Sequence, residues 1–307
     1  MADVRLRVIA GPTGAGKSAL VHALAAQVPL AVVSADSRQI YRGFDIGTAK
    51  PTAAERACVP HFGVDVVDPI TRYSAAAWGA DAAAWIDEAI RAGREPVIVG
   101  GTGFYVRALT APLFVEPPLD VDRRRAIASH LRALPLVEVR RWCTVLDPER
   151  AGLGRAQLER AIEVALLTGV PLSRWHQVAP GAPPRRVRYL VLDPGPALGE
   201  RIAARLDHML DAGWIEEARA LDARIPESAP AWNATGYAVV RALARGTVGR
   251  ADAREQILIA TRQYAKRQRT WMRHQLPPND VTRIDPRTPD AVSRALAWWH
   301  DSTEGMG

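Results

Sequence analysis

The chain has 307 residues, about two domains at roughly 150 residues each, and its 48% apolar and 24% charged composition excludes a disordered chain or a fibre. Forty basic residues stand against 33 acidic ones, a net charge of +7, and two cysteines, Cys58 and Cys143, are too few and wrongly spaced for a disulfide framework or a metal cluster. No run approaches the roughly 18 consecutive apolar residues of a membrane span, and the N-terminus enters a glycine-rich loop with no signal-peptide core before it, so the expectation is a cytoplasmic protein.

In chain order, Val4–Ala10 is a short β-branched run that leads straight into Gly11-Pro-Thr-Gly-Ala-Gly-Lys-Ser18 and then into the helical pattern ALVHALAAQ. Further strand-like runs are Leu30–Ala35, Val64–Val67, Pro96–Val99 and Val187–Leu192. Most are continuously apolar, as strands covered on both faces of a parallel sheet should be. Helical stretches lie between them, such as 75–92 with Trp78, Ala82, Trp85 and Ile86 on one stripe. The alternation predicts an α/β fold, a P-loop NTPase-like parallel sheet flanked by helices. From about Glu116 to Pro184 the rhythm breaks. That stretch opens with EPPLD, closes with APGAPPRR and contains no strand pattern, which reads as a helical insertion domain (116–184) within a core of 1–115 and 185–307. Two long helical patterns follow the return to the sheet, near 197–223 and 251–274.

Gly11-x4-Gly16-Lys17-Ser18 is a complete Walker A pattern between a strand and a helix, and a chance match is on the order of 10⁻³. Gly14 and Gly16 let backbone N–H groups turn inward around phosphate oxygens, and the helix N-terminus adds partial positive charge. Lys17 supplies a point charge, and the Ser18 hydroxyl suits a Mg²⁺ bridging two phosphates. Asp36 and Asp193 each stand at a strand end where an NTP hydrolase keeps its acidic residue, whereas Val97–Val99 ends in Gly100-Gly101-Thr102-Gly103, read here as a second flexible loop beside the phosphates. Of the 40 basic residues 37 are Arg and three are Lys, at 17, 50 and 266. In such a background a lysine marks a place where a compact ammonium is needed rather than a planar guanidinium.

The segments ADSRQIYRGFDIGTAKP (35–51), VGGTGFYVRAL (99–109) and TRQYAKRQRTW (261–271), together with GPTGAGKS, resemble the tRNA dimethylallyltransferase family, which prenylates N6 of the adenine 3′ to certain anticodons. PHFGVDVVDP, YSAAAW and NATGYAVVRALARG fit the same family, so the resemblance runs from about residue 6 to 273. It implies a diphosphate site at Gly11, Pro12, Thr13, Gly14, Ala15, Gly16, Lys17 and Ser18, with Mg²⁺ near Ser18 and the donor dimethylallyl diphosphate. Either Arg201 or Arg205 would reach the leaving diphosphate; spacing does not choose between them. Asp36 would be the general base and Thr102 would stand beside the reacting centre. Mg²⁺ ligation alone is the alternative role for Asp36.

The same resemblance implies that Asp36, Ser37, Arg38, Gln39 and Thr102 meet the target base of the tRNA anticodon stem-loop, with Arg124, Gln157, Arg160, Gly236 and Tyr237 as further tRNA contacts. It also suggests a monomer. The segment DPERAGLGRAQLERAIEV departs from the family: Ala151–Gly154 replaces a His-Pro-Asn-Asp stretch, and Gln157 stands where Arg is expected, with Arg155 or Arg160 as candidates to compensate.

No acidic residue occurs between Glu255 and Asp280, while Arg262, Lys266, Arg267, Arg269, Arg273 and His274 all do. Arg262, Lys266, Arg269 and Arg273 are spaced 4, 3 and 4, which aligns them on one helix face. Such a stripe can follow a phosphodiester backbone, with Tyr264, Gln268 and Trp271 interleaved. Two rival readings share part of these features. A P-loop kinase gives no role to the basic helix, and a nucleotide-regulated RNA-binding module leaves Asp36 and GGTG without work.

Overall fold

The computed structural model describes residues 6–110, 119–177 and 186–301. The chain divides into two compact units, Met1–Thr110 with Arg185–Gly307, and Ala111–Pro184. The ends of the insertion expected at 116 and 184, and Val4 and Arg5 of the first strand, lie outside the described residues.

The first unit is built on one six-stranded, all-parallel sheet. Its strands are β1 (Leu6–Ala10), β2 (Leu30–Ala35), β3 (His61–Phe62), β4 (Glu95–Gly100), β5 (Val187–Leu192) and β6 (Val281–Ile284), in the order β3-β2-β4-β1-β5-β6. Ala10 and Ala35 both pair with Gly100. Three neighbouring strands therefore end at one level and deliver the residues after them side by side. The chain passes from β1 to β2 across the place that β4 occupies, the switch in strand order where open α/β sheets hold ligands.

On one face of the sheet, α3 (Ala75–Arg91) and α4 (Gly103–Thr110) bury Trp78, Ala82, Ile86, Tyr105 and Val106 against Val8, Val33 and Ile98. Trp78 lies stacked on Tyr105 at 4.7 Å, and its indole N–H donates to Ser34 O at 3.0 Å. Full burial of such a ring contributes at least about 2 kcal/mol. On the other face, α1 (Lys17–Ala25) and α13 (Ala291–His300) pack Leu20, Val21, Leu24, Trp298 and Trp299 on Ile9, Val32, Val97 and Leu190.

A third cluster forms beside the sheet. There α9 (Leu198–Asp211), α10 (Trp214–Asp222), α11 (Tyr237–Ala244) and α12 (Arg250–Gln275) gather Leu206, Met209, Trp214, Tyr237 and Ile257 around Ile40 and Phe44. The short α2 (Ala53–Cys58) is opened by a Thr52–Glu55 capping box.

Three sequence expectations change here. Val64–Val67 is not a strand: the sheet edge is His61–Phe62, and Val67 makes only an isolated bridge to Tyr41. Val64 and Val67 are apolar because they are buried, with Val67 in the cluster around Ile40. The pattern at 197–223 is two helices broken at Gly213, whose φ of 97° is a left-handed turn that glycine adopts without strain. The sixth strand, Val281–Ile284, went unread because it is short and half polar.

In the second unit, α5 (Val121–Ala133), α6 (Leu136–Leu146), α7 (Arg155–Thr168) and α8 (Leu172–Gln177) enclose Leu131, Val139, Cys143, Leu158, Ile162 and Leu172. No strand occurs among its described residues.

Candidate active site

A cavity of about 490 Å³ lies in the first unit at the carboxyl ends of β1, β2 and β4. At one end it is lined by Thr13, Gly14, Gly16, Lys17 and Ser18, and by Asp36, Arg38 and Gln39 from the turn after β2. Arg201 and Arg205 of α9 and Tyr264 and Gln268 of α12 add the polar remainder. Leu206, Met209, Trp214 and Ile257 give the cavity an apolar lining as well. One hollow thus offers cationic groups, a carboxylate and an apolar surface.

The glycine loop has the left-handed turns that its function requires, with φ of 78° at Gly14 and 96° at Gly16. Lys17 Nζ donates to Gly11 O at 2.8 Å and Pro12 O at 3.0 Å. Burial pushes its ammonium down to about 8, although Asp36 favours the charged form; Arg205 adds to the lowering. Gly11, Pro12 and Ala15 do not line the cavity. They are buried and shape the loop, Gly11 and Pro12 through their carbonyls. The N–H of Thr13 is already donated to Gln268 Oε1 at 2.8 Å.

The two α9 arginines separate. Arg201 is exposed where it lines the cavity, and its Nε donates to Gly14 O at 2.8 Å, so it braces the loop. Arg205 is desolvated, which lowers its pKa against the opposing pull of Asp36, and no protein acceptor for its guanidinium is found among the described residues.

Asp36 is half-buried on the cavity wall. Its Oδ1 accepts the N–H of Arg38 at 2.8 Å and, more weakly, that of Gln39 at 3.4 Å. This Asx-type turn fixes the carboxylate and leaves Oδ2 for a ligand. Ser37 N–H donates to Thr102 Oγ1 at 3.1 Å, tying this turn to the GGTG loop. The Tyr264 hydroxyl on the cavity wall is pushed up to about 12 by burial and by Asp36.

The glycines of the GGTG segment mark close approaches to α12. A Cβ at Gly101 would stand 2.3 Å from Gln268 Nε2, and one at Gly103 2.3 Å from the Trp271 ring. These glycines exist so that α12 can seat against the loop. Gln268 is 6% exposed and donates to Gly101 O at 3.0 Å while accepting from Thr13. Its amide joins the two glycine loops at the cavity wall, and Trp271 is half-buried against Gly103.

The expected tRNA contact at Tyr237 is corrected. It is fully buried, its hydroxyl donates to Glu217 at 2.6 Å and accepts from Gly47 N–H at 3.1 Å, so no tRNA can reach it. Gly236, with φ of 93°, is where the Trp214 ring passes: a Cβ there would lie 2.5 Å from it. Arg269 pairs with Asp193 and donates to Gly195 O at 2.7 Å, so the stripe has a compensating acid supplied from the end of β5. Arg262, Lys266, Arg267 and Arg273 remain exposed.

In the insertion unit, Glu163 pairs with both Arg124 and Arg160, the latter at 2.7 Å. Gln157 accepts the N–H of Gly154 at 3.0 Å and caps α7. Arg155 donates to Leu131 O and Leu134 O, closing the end of α5. Arg124, Arg155, Gln157 and Arg160 thus all have intramolecular partners.

A family model described as IPP transferase matches residues 39–275, and one described as isopentenyl transferase matches residues 4–59. The chain belongs to the IPP transferase family. It is an enzyme, a prenyltransferase. Among its relatives, the tRNA dimethylallyltransferase of Thermus thermophilus is 42% identical, with 89% of this chain and 90% of that protein covered. The one from Deinococcus radiodurans is 40% identical over 96% of both.

Solved structures agree. The full-length tRNA isopentenylpyrophosphate transferase from Bacillus halodurans matches with a TM-score of 0.67 at 30% identity, covering 96% of this chain and 95% of that one. A eukaryotic dimethylallyltransferase described as acting on tRNA matches with a TM-score of 0.78 at 26% identity, covering 95% and 78%. Among the described residues no helix is long and apolar enough to cross a membrane.

Proposed function

We propose that this IPP transferase family member moves a dimethylallyl group from dimethylallyl diphosphate to N6 of the adenine at tRNA position 37, 3′ of the anticodon, and releases diphosphate. The observation that carries the reading is the shared cavity: glycine loop, Lys17 and Arg205 line the same hollow as the Asp36 carboxylate. An allylic diphosphate ionises readily, so catalysis consists chiefly in stabilising the departing anion. Loop N–H groups, Lys17 and Arg205 do this, while Leu206, Met209, Trp214 and Ile257 offer the five-carbon chain an apolar wall.

As the C1–O bond breaks, the adenine N6 lone pair forms the new C1–N bond, and Asp36 takes the amine proton. Thr102 accepts the Ser37 N–H and so steadies the turn that carries Asp36, which supports its role beside the reacting base. A flipped-out adenine is the form that such a recessed site accepts.

Mg²⁺ fits the donor set. Ser18 presents an exposed hydroxyl on the cavity, and Asp36 lies across the same hollow. Ser18 and Asp36 would hold Mg²⁺ together with the diphosphate, a site that needs no denser protein cluster, and the ion would neutralise charge on the leaving group.

The exposed cations of α12 suit the anticodon stem-loop. The insertion unit is assigned to tRNA as well, as a clamp on the loop. We read the protein as a cytoplasmic monomer. Incubation with dimethylallyl diphosphate, Mg²⁺ and unmodified tRNA tests the function: nucleoside mass analysis should show adenosine heavier by one prenyl unit. ATP turnover without that product would support the kinase reading instead.

A further inference from the structure

Lys50 lies in the segment GTAKP, at the end of the turn-rich stretch that begins at Asp36. Its side chain is 2% exposed, and all three of its N–H donors are taken: Tyr41 O at 2.5 Å, Asp45 Oδ1 at 2.7 Å and Asp65 Oδ1 at 2.5 Å. The second oxygen of Asp65 accepts from Arg56 at 2.7 Å. None of these atoms touches the cavity, yet the residues they hold do.

Lys50 closes a turn in which Ala49 has φ of 47°, and it binds Asp65, which has φ of 58°. Neither is glycine, so both conformations persist only because their surroundings over-determine them. Held this way, Ala49 O and Thr48 O accept the two amide N–H groups of Gln39 at 2.9 and 3.2 Å. Gln39 Oε1 accepts from Ser34 Oγ at 3.1 Å, which sets the amide orientation. The backbone N–H of Gln39 then meets Asp36 Oδ1. Hydrogen bonds joined by short stretches of backbone thus connect a buried ammonium to the carboxylate on the cavity wall.

We propose that Lys50 is a positioning residue for prenyl transfer: its ammonium fixes the 45–50 turn, the turn supplies the acceptors that hold Gln39, and Gln39 with Arg38 aims Asp36. The three acceptors surround one point, which a tetrahedral ammonium satisfies and a planar guanidinium does not. That accounts for a lysine here in a chain that uses arginine almost everywhere else. Glu217 secures the same turn from its other side, accepting from Asp45 N–H and Ile46 N–H at 3.0 and 2.7 Å. Removal of Lys50 therefore loosens the turn without abolishing it.

The inference rests on the proposed prenyl transfer, and its test separates the two. Wild type, Lys50→Arg and the charge-balanced pair Lys50→Met/Asp65→Asn are compared in single-turnover transfer at saturating donor and anticodon stem-loop. Affinity for dimethylallyl diphosphate and melting temperature are measured in parallel. Misplacement of a reacting group by about an ångström costs on the order of a hundredfold. The expected result is a transfer rate at least about tenfold lower in both variants, with donor affinity within about threefold, because the glycine loop is untouched. Lys50→Arg keeps the charge and carries the test if the double variant does not fold. A folded variant that transfers within about threefold of wild type overturns the inference, as does a parallel fall in donor affinity. Absence of transfer by wild type would instead overturn the functional reading.

Discussion

Lys17 illustrates how one residue carries two opposed energies. In the folded chain burial lowers its pKa from the ordinary 10.5 to about 8, against the pull of Asp36. Folding therefore works against a buried positive charge below about pH 8, and that cost fades between about 8 and 10.5 as the folded state sheds the proton first. Donor binding runs the other way, since a diphosphate needs the ammonium charged. Affinity for dimethylallyl diphosphate should be flat below about pH 8 and then fall, approaching tenfold per pH unit toward 10.5. Isothermal titration across that range checks this, and Lys17→Met should bind weakly with no such bend. A bend that persists in Lys17→Met would assign the titration to another group. Lys17 and Ser18 stand out by type and spacing, because the glycine loop is a local structure, whereas spacing left Asp36 and Asp193 both open and only the family resemblance singled out Asp36. The burial of Tyr237 was not legible, since it depends on Glu217 and Gly47, which are distant in sequence.

At the scale of elements, α12 does two things with its two sides. Tyr264 and Gln268 face inward, where they line the cavity and join the glycine loops, while Arg262, Lys266, Arg267 and Arg273 face solvent. A sequence pattern shows the basic residues but not which of them the fold has already used. Arg269 fits the stripe by spacing, yet Asp193, 76 residues away, takes it. The glycines of GGTG pose the same problem: what they make room for is Gln268 and Trp271, far along the chain.

The exposed cations lead to a quantitative expectation. If each of Arg262, Lys266 and Arg273 meets one phosphate, replacing it with Ala should reduce the slope of log affinity against log salt by about one, whatever the RNA sequence. Arg269→Ala should instead lower stability by breaking its contacts to Asp193 and Gly195. Filter binding of the anticodon stem-loop at several salt concentrations measures the slopes. Equal slopes for all variants would remove this face from the RNA interface.

At the scale of the molecule, the order of the strands places the chemistry. Because β4 lies between β1 and β2 in register, the glycine loop, the Asp36 turn and the GGTG loop emerge together. The continuously apolar strands made this parallel sheet readable, and the loss of strand pattern after about 116 made the insertion readable. The edges were harder: β3 has two residues and β6 four, too short for a pattern to form. What no local reading could supply was the convergence of α9 and α12 on the loops, which makes the cavity and brings both Arg201 and Arg205 to it.

The central claim is that one hollow holds the diphosphate end of the donor while Asp36 receives the proton of the attacking amine. Single-turnover prenyl transfer by Asp36→Ala, with donor and tRNA both bound at saturation, tests it most directly. The rate should fall by roughly 10²–10⁴ with binding of both substrates retained. A loss smaller than about threefold would contradict the account.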